Sequence, residues 1–239
     1  MPRPVNGYQW TDHPILETPS PEDLEKLSPG ALLEVYQTRE HAIVAEKYDP
    51  LNCGFELATW AGSRDLLSQA NVDELVIFGG NRSGKSEFSA KLVVECSLAN
   101  PGSTLWCFAQ NKENSIQMQQ RYVWKYLPPK LREKITRANG KDPTAISFSQ
   151  KNGFSGGKLV FPNGSEIIFR NYEQKVQTIE GGEVGCRNPT SINLGVWCDE
   201  LVPMAFLETL RLRLVTRDAK MLVTFTPKDG VTIVVKDYL

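Results

Sequence analysis

The chain has 239 residues, 41% of them hydrophobic and 23% charged, and a net charge of −1. That length suits one α/β domain with an extension, and the apolar share is enough for a substantial core. The near-neutral balance removes any global electrostatic reason to expect nucleic acid, so only local charge can argue for it.

Residues Met1 to Ser20 carry Pro2, Pro4, Pro14 and Pro19 and read as an extended arm. The N-terminus has no apolar signal core, and no run reaches the ~18 apolar residues of a membrane helix. A soluble, intracellular protein is expected. From Pro21 to Asp49 the pattern turns helical. Ser28 can cap a helix with Pro29 in its first position. Leu32, Leu33, Tyr36, Ile43 and Val44 then recur at spacings near 3.6. Over residues 1–50, four Lys/Arg face nine Asp/Glu. The segment is either an acidic helix packed on the domain or a docking element for a partner. A boundary is expected near residue 50, with an N-terminal arm and helix (1–50) and a main domain (51–239).

Tyr48 to Ala70 leads into the next element. Its Phe55 and Trp60 are either core residues or platforms for a nucleotide base. Leu75-Val76-Ile77-Phe78 has the length and composition of a buried parallel strand. Gly79-Gly80-Asn81-Arg82-Ser83-Gly84-Lys85-Ser86 follows and fits G-x-x-x-x-G-K-[ST] at every fixed position. A helix-compatible run starts at Glu87 and stops before Pro101. Gly79 and Gly84 let the backbone curl so that its N–H groups face phosphate oxygens. The helix N-terminus adds unpaired N–H groups and partial positive charge. Lys85 can reach the β- and γ-phosphates of ATP, and the Ser86 hydroxyl can ligate Mg²⁺.

Thr104 to Ala109 is a second buried strand, and a helix is expected from about Ser115 to Tyr126, closed by Pro128-Pro129. Between Lys112 and Lys141 there are eight Lys/Arg and two Asp/Glu, with Tyr122, Trp124 and Tyr126 interleaved. This stretch either meets a phosphate backbone or carries solvated charge. Lys158–Phe161 and Glu166–Phe169 flank Pro162-Asn163-Gly164-Ser165, the signature of a β-hairpin at a sheet edge. Residues 171–193 are polar and glycine-rich, a loop long enough to be functional. The five cysteines form no C-x-x-C; Cys96, Cys107 and Cys198 read as small core residues in a reducing compartment.

Leu194 to Glu200 is a mostly apolar strand ending in two carboxylates. Asp199 falls where open α/β sheets place ligands and can share a Mg²⁺ with Ser86. Glu200, one residue on, can orient and deprotonate a water. A substrate hydroxyl would need no such glutamate, so the pair favours hydrolysis. Pro203 to Leu214 is helical, with Phe206, Leu207, Leu210 and Leu214 on one face and Arg211 and Arg213 elsewhere. Lys220 to Pro227 is a third apolar strand with a polar tip. Its Thr224 and Thr226 share a face. In water-activating P-loop ATPases such a strand lies between the two site-bearing strands. The fold expected is α/β, a P-loop NTPase of the ASCE type. It has a mostly parallel sheet flanked by helices, a β-hairpin and an N-terminal helical arm.

GGNRSGKSE, a strand ending in FAQN, the Asn-Gly hairpin, VWCDE, a Leu/Arg-rich helix and LVTFTP come in one order. From Phe55 to Gly230 the chain thereby resembles the ATPase domain of the large terminase subunit of tailed bacteriophages, a DNA-packaging motor. The resemblance implies that Gly79 to Ser86 bind ATP, Asp199 holds Mg²⁺, Glu200 activates water, and Thr224 and Thr226 couple hydrolysis to movement. It implies Arg82 as an arginine acting in cis, and Arg187 as an arginine finger acting on a neighbouring subunit. Implied partners are double-stranded DNA, a small terminase subunit and the portal of a procapsid, with a homo-oligomeric ring and no membrane, in the host bacterium's cytoplasm. The family's nuclease domain has no counterpart before Leu239, so no nuclease activity is expected. The alternatives are a helicase-like P-loop ATPase and a subunit that binds nucleotide or a partner without turnover.

Overall fold

The computed structural model describes residues 28–54, 56–132, 146–200 and 202–226. The arm at 1–20, Phe55 and the basic residues after Arg132 lie outside them. The described residues fall into two units, one ending at Leu57 and one beginning at Ala58. The first holds α1 (Pro29–Tyr48) and α2 (Pro50–Cys53). Ser28 caps α1 as its sequence predicts, accepting from the Ala31 amide at 3.3 Å. Leu33, Ile43 and Val44 of its apolar set are exposed.

The second unit begins with α3 (Ala58–Ser68), β1 (Glu74–Phe78), α4 (Lys85–Ala99) and β2 (Thr104–Ala109). Next come α5 (Lys112–Asn114), a π-helical segment (Ser115–Gln120), α6 (Arg121–Tyr126) and α7 (Pro129–Arg132). A small antiparallel pair, β3 (Phe148–Ser149) and β4 (Gly153–Phe154), precedes the hairpin strands β5 (Lys158–Val160) and β6 (Glu166–Asn171). Then follow β7 (Leu194–Asp199), α8 (Met204–Val215) and β8 (Lys220–Phe225).

The main sheet runs β1-β8-β7-β2-β6-β5. All its pairings are parallel except β5 with β6, the predicted Asn-Gly hairpin, which closes one edge. Strand alternation splits the core in two. Trp106, Phe108, Val196, Cys198, Met221, Val223 and Phe225 pack with Phe206, Leu207, Leu210 and Leu214 of α8. Cys107, Trp197, Leu222 and Thr224 take the opposite parity and point to the other face, which α4 covers. Arg211 turns back from α8 onto Glu74 at the start of β1, Nε to Oε1 at 2.7 Å. Cys96, Cys107, Cys186 and Cys198 are free and buried. Burial pushes the Cys96 and Cys198 thiols up to about 12. No helix among the described residues is long and apolar enough to cross a membrane.

The expected continuous helix after β2 is instead widened over Ser115–Gln120. The wider turn puts two glutamines to structural use. Gln119 Nε2 donates to the Phe108 carbonyl at 2.8 Å. Gln120 Oε1 accepts from the Phe154 amide at 2.8 Å, while its Nε2 donates to Ser115 Oγ at 3.1 Å. Gly153 lies against this anchor at φ 70°, and a Cβ there would sit 2.0 Å from Gln120 Oε1. Gly153→Ala therefore combines left-handed strain with the loss of a buried bond. It is expected to cost about 2 kcal/mol or more. The check is a lower urea midpoint at unchanged m. An unshifted midpoint would mean that Gln120 moves aside freely.

Candidate nucleotide site

β1 ends at Phe78, and the chain enters the glycine loop with the Gly79 amide still on the Phe225 carbonyl, at 3.4 Å. Gly84 sits at φ 81°, ψ 4° and caps α4. Two pressures require glycine there: the left-handed backbone, and the Trp60 ring, whose Cζ2 would lie 3.1 Å from a Cβ. Trp60 is 7% exposed and packs 5.9 Å from the Phe88 ring. Of its two sequence readings, the core role is the one observed. Asn81, Arg82 and Ser83 are exposed at the loop tip, with Arg82 at φ 63°.

Lys85 folds back over the loop. Its Nζ donates to the carbonyls of Gly79 and Gly80 at 2.8 and 2.9 Å. It also reaches Ser83 Oγ at 3.3 Å and Thr226 Oγ1 at 3.2 Å. The last contact spans 141 residues of sequence. It arises because β8 lies directly beside β1.

On the other side of β8, β7 delivers Asp199. Ser86 Oγ lies 3.1 and 3.2 Å from its two carboxylate oxygens. Thr224 Oγ1 lies 2.9 Å from Oδ1. The Trp197 indole N–H donates to that same Thr224 oxygen at 3.1 Å. The indole therefore leaves the single Thr224 proton to be donated onward, to the carboxylate at 2.9 Å in preference to the Cys198 carbonyl at 3.4 Å. Asp199 is 8% exposed. Burial raises its carboxyl to about 6; hydrogen bonds from Thr224 and Ser86 pull the other way, the nearby Glu200 pushes it further up, and Lys85 pulls it down.

Glu200 leaves the strand through a left-handed residue, φ 69°, while its amide still bonds the Thr224 carbonyl at 2.7 Å. A non-glycine residue held there is a strained position of the kind that clusters at functional sites. No hydrogen bond or ion pair engages its carboxylate among the described residues.

The predicted loop residues Gly79 to Ser86, with Asp199, Glu200, Thr224 and Thr226, thus meet at the C-terminal end of the parallel strands. Arg187 does not join them. Its loop is tied to the other end of the sheet, where Gly185 bridges Thr104, the first residue of β2. A six-residue strand is roughly 20 Å long, so Arg187 cannot reach the P-loop of its own chain. Its side chain is exposed, 3.6 Å from Glu183, which Arg217 also engages at 2.5 Å. Sequence reasoning passed over Trp197. Its role depends on the register between β7 and β8, for which a single strand offers no signal.

A mostly parallel sheet flanked by helices, with a glycine loop joining β1 to α4 and the β8 strand between β1 and β7, is a P-loop fold. No family model matches the chain, and no curated protein matches it. Among solved structures, the large terminase ATPase domain of a Thermus phage is 16% identical, with 75% of this chain and 68% of that one covered and a TM-score of 0.46. A single-arginine mutant of that domain is 18% identical over 67% and 62%, with a TM-score of 0.40. The fold assignment rests on the strand order and loop geometry above.

Proposed function

We propose that this chain hydrolyses ATP with water and uses the reaction to move double-stranded DNA, as the ATPase part of a terminase-type packaging motor. The observation that carries the reading is the convergence of Ser86, Asp199 and Thr224 within 3.2 Å, beside the Lys85–Thr226 contact. The first turn of α4, the end of β7 and the tip of β8 between β1 and β7 are thereby joined through side chains.

The donor set fits magnesium. A hydroxyl and a carboxylate are hard oxygen ligands on adjoining elements, already within hydrogen-bond distance. Ser86 and Asp199 would hold the ion, which supplies charge neutralisation to the phosphate oxygens when bound. The loop amides and the α4 N-terminus receive phosphate oxygens. Lys85 exchanges its loop carbonyls for them and, in doing so, releases Thr226. Glu200, with its carboxylate uncommitted, takes the proton of the attacking water. Arg82 at the loop tip stabilises charge in the transition state within the same chain, and Arg187 is left to act on a neighbouring copy. The order of the motifs along the chain supports the packaging role, with a small terminase subunit and a procapsid portal as partners in the bacterial cytoplasm.

The test is steady-state ATPase activity with and without linear duplex DNA, with a strand-separation assay alongside. Duplex-stimulated hydrolysis without unwinding is expected. Unwinding would favour a helicase, and hydrolysis indifferent to DNA would remove the motor reading.

A further inference from the structure

Trp60 is a core residue, yet part of what it packs against is the glycine loop itself. α3 carries Trp60, Arg64 and Leu67 on one helical face. Leu67 is fully buried. Arg64 grips α4 well along its length, with Nε and Nη2 both on Glu95 Oε2 at 3.2 and 3.0 Å. Trp60 instead meets the start of α4. Its ring lies 5.9 Å from the Phe88 ring, centroid to centroid. A Cβ on Gly84 would stand 3.1, 3.3 and 3.5 Å from the indole atoms Cζ2, Nε1 and Cε2. The indole therefore lies directly against the Gly84 backbone.

Gly84 has few other supports. It caps α4 at φ 81° with no side-chain capping bond. Its carbonyl accepts from the Phe88 amide at 2.9 Å, which fixes the helix side of the residue. The loop side is tied by Lys85, whose Nζ draws the Gly79 and Gly80 carbonyls together. Those are the bonds that Lys85 exchanges for phosphate oxygens when a nucleotide enters. The packing of Gly84 on the indole involves no exchanged group and persists in both states. Direction matters at this point. Amides at a helix N-terminus serve an anion by pointing at it, and a glycine cap has wide conformational freedom to lose.

We propose that Trp60 is a positioning residue for the triphosphate: through Gly84 it fixes the direction of the amides at the start of α4, and so sets the affinity of the loop for phosphate rather than for the base. The inference rests on the nucleotide-binding reading and names what pre-organises that site. A loop that its ligand must first order binds that ligand more weakly. The chemical step depends on Glu200 and is spared once the site is filled.

The test is binding of a fluorescent ATP analogue to the full chain with Mg²⁺, using unlabelled ATP and inorganic tripolyphosphate as competitors. Trp60→Leu leaves a gap beside Gly84. It is expected to raise Kd about tenfold for both competitors alike, with KM for ATP rising in step and kcat within about threefold of wild type. Trp60→Phe keeps a smaller ring there and should raise Kd about two- to threefold, so the comparison survives if the leucine variant does not fold. Arg64→Ala is the control for packing alone, because it cuts the tie between α3 and α4 at Glu95, away from the loop. It should lower Tm and leave both affinities unchanged. Wild-type Kd in both Trp60 variants overturns the positioning role and leaves the nucleotide reading standing. An equal loss in Arg64→Ala overturns it too, since the effect would then belong to the docking of α3 as a whole. A loss confined to ATP, with tripolyphosphate unaffected, would mean that the indole meets the base, and also overturns it. A wild-type chain that binds neither competitor overturns both readings.

Discussion

Glu200→Gln should reduce ATP turnover by about 10²- to 10⁴-fold while leaving ATP binding within a few-fold of wild type. Glutamine has the same shape and can keep the backbone bond from residue 200 to the Thr224 carbonyl, which measures 2.7 Å. It cannot accept a proton from water. The left-handed φ of 69° is imposed on both residues alike, so the substitution isolates the base from the turn that presents it. Asp199 lies next to Glu200 yet is spoken for by two hydroxyls, and cannot take over the role. Single-turnover hydrolysis alongside equilibrium nucleotide binding is the measurement. Unchanged turnover would show that another group activates the water.

The second large effect is expected from Thr224→Val, which removes a hydroxyl at nearly constant volume. Two groups lose by it. The buried Trp197 N–H keeps no acceptor, and Asp199 loses a donor that stabilises its charge. The first loss alone is worth about 1–3 kcal/mol, or several degrees in Tm for a chain of this size. The second has a pH signature. Asp199 is already raised by burial, to about 6 from 3.8. The folded protein therefore binds a proton more readily than the unfolded one between those values. For this group, stability falls as pH rises through that window, and the penalty is complete above pH 6. Thr224→Val moves the folded value higher and carries the fall to higher pH. Thermal melts of the protein without nucleotide, from pH 4 to 8, read both effects. Thr224→Ser restores the hydroxyl and should recover most of each. If serine is no better than valine, the methyl group rather than the hydroxyl was responsible.

The parts of the site legible in the sequence are those fixed by local chemistry. Gly84 announces a curl of the backbone, Leu194–Asp199 a strand ending in carboxylate, and Asn163-Gly164 a hairpin, because each depends on neighbours a few residues away. The role of Trp197 was not legible: its indole meets Thr224 only once two strands are paired in a particular register. The same holds for Arg170, which reads as an ordinary strand arginine until β6 lies beside β2 and Trp106 comes beneath it. The widened helix at Ser115–Gln120 escaped for a related reason. Its glutamines favour a regular helix by themselves, and only the Phe108 carbonyl and the Phe154 amide make the wider turn worthwhile. The end of the sheet at which Arg187 lies also emerges only from the pairing of Gly185 with Thr104. The position of Arg187 before β7 says nothing of which end of the sheet its loop covers.

The pairing register also has a mechanical consequence. Ile77, Thr224 and Asp199 lie in one row across β1, β8 and β7. Thr224 is thus clamped from both sides by main-chain ladders and from beneath by the indole. Two residues further on, the ladders have ended, and the side chain of Thr226 is tied to Lys85. Stiffness therefore drops sharply between these two threonines. Among the described residues, the Lys85 contact therefore bears on the tip of β8 beyond the paired row, and not on the row that holds Asp199.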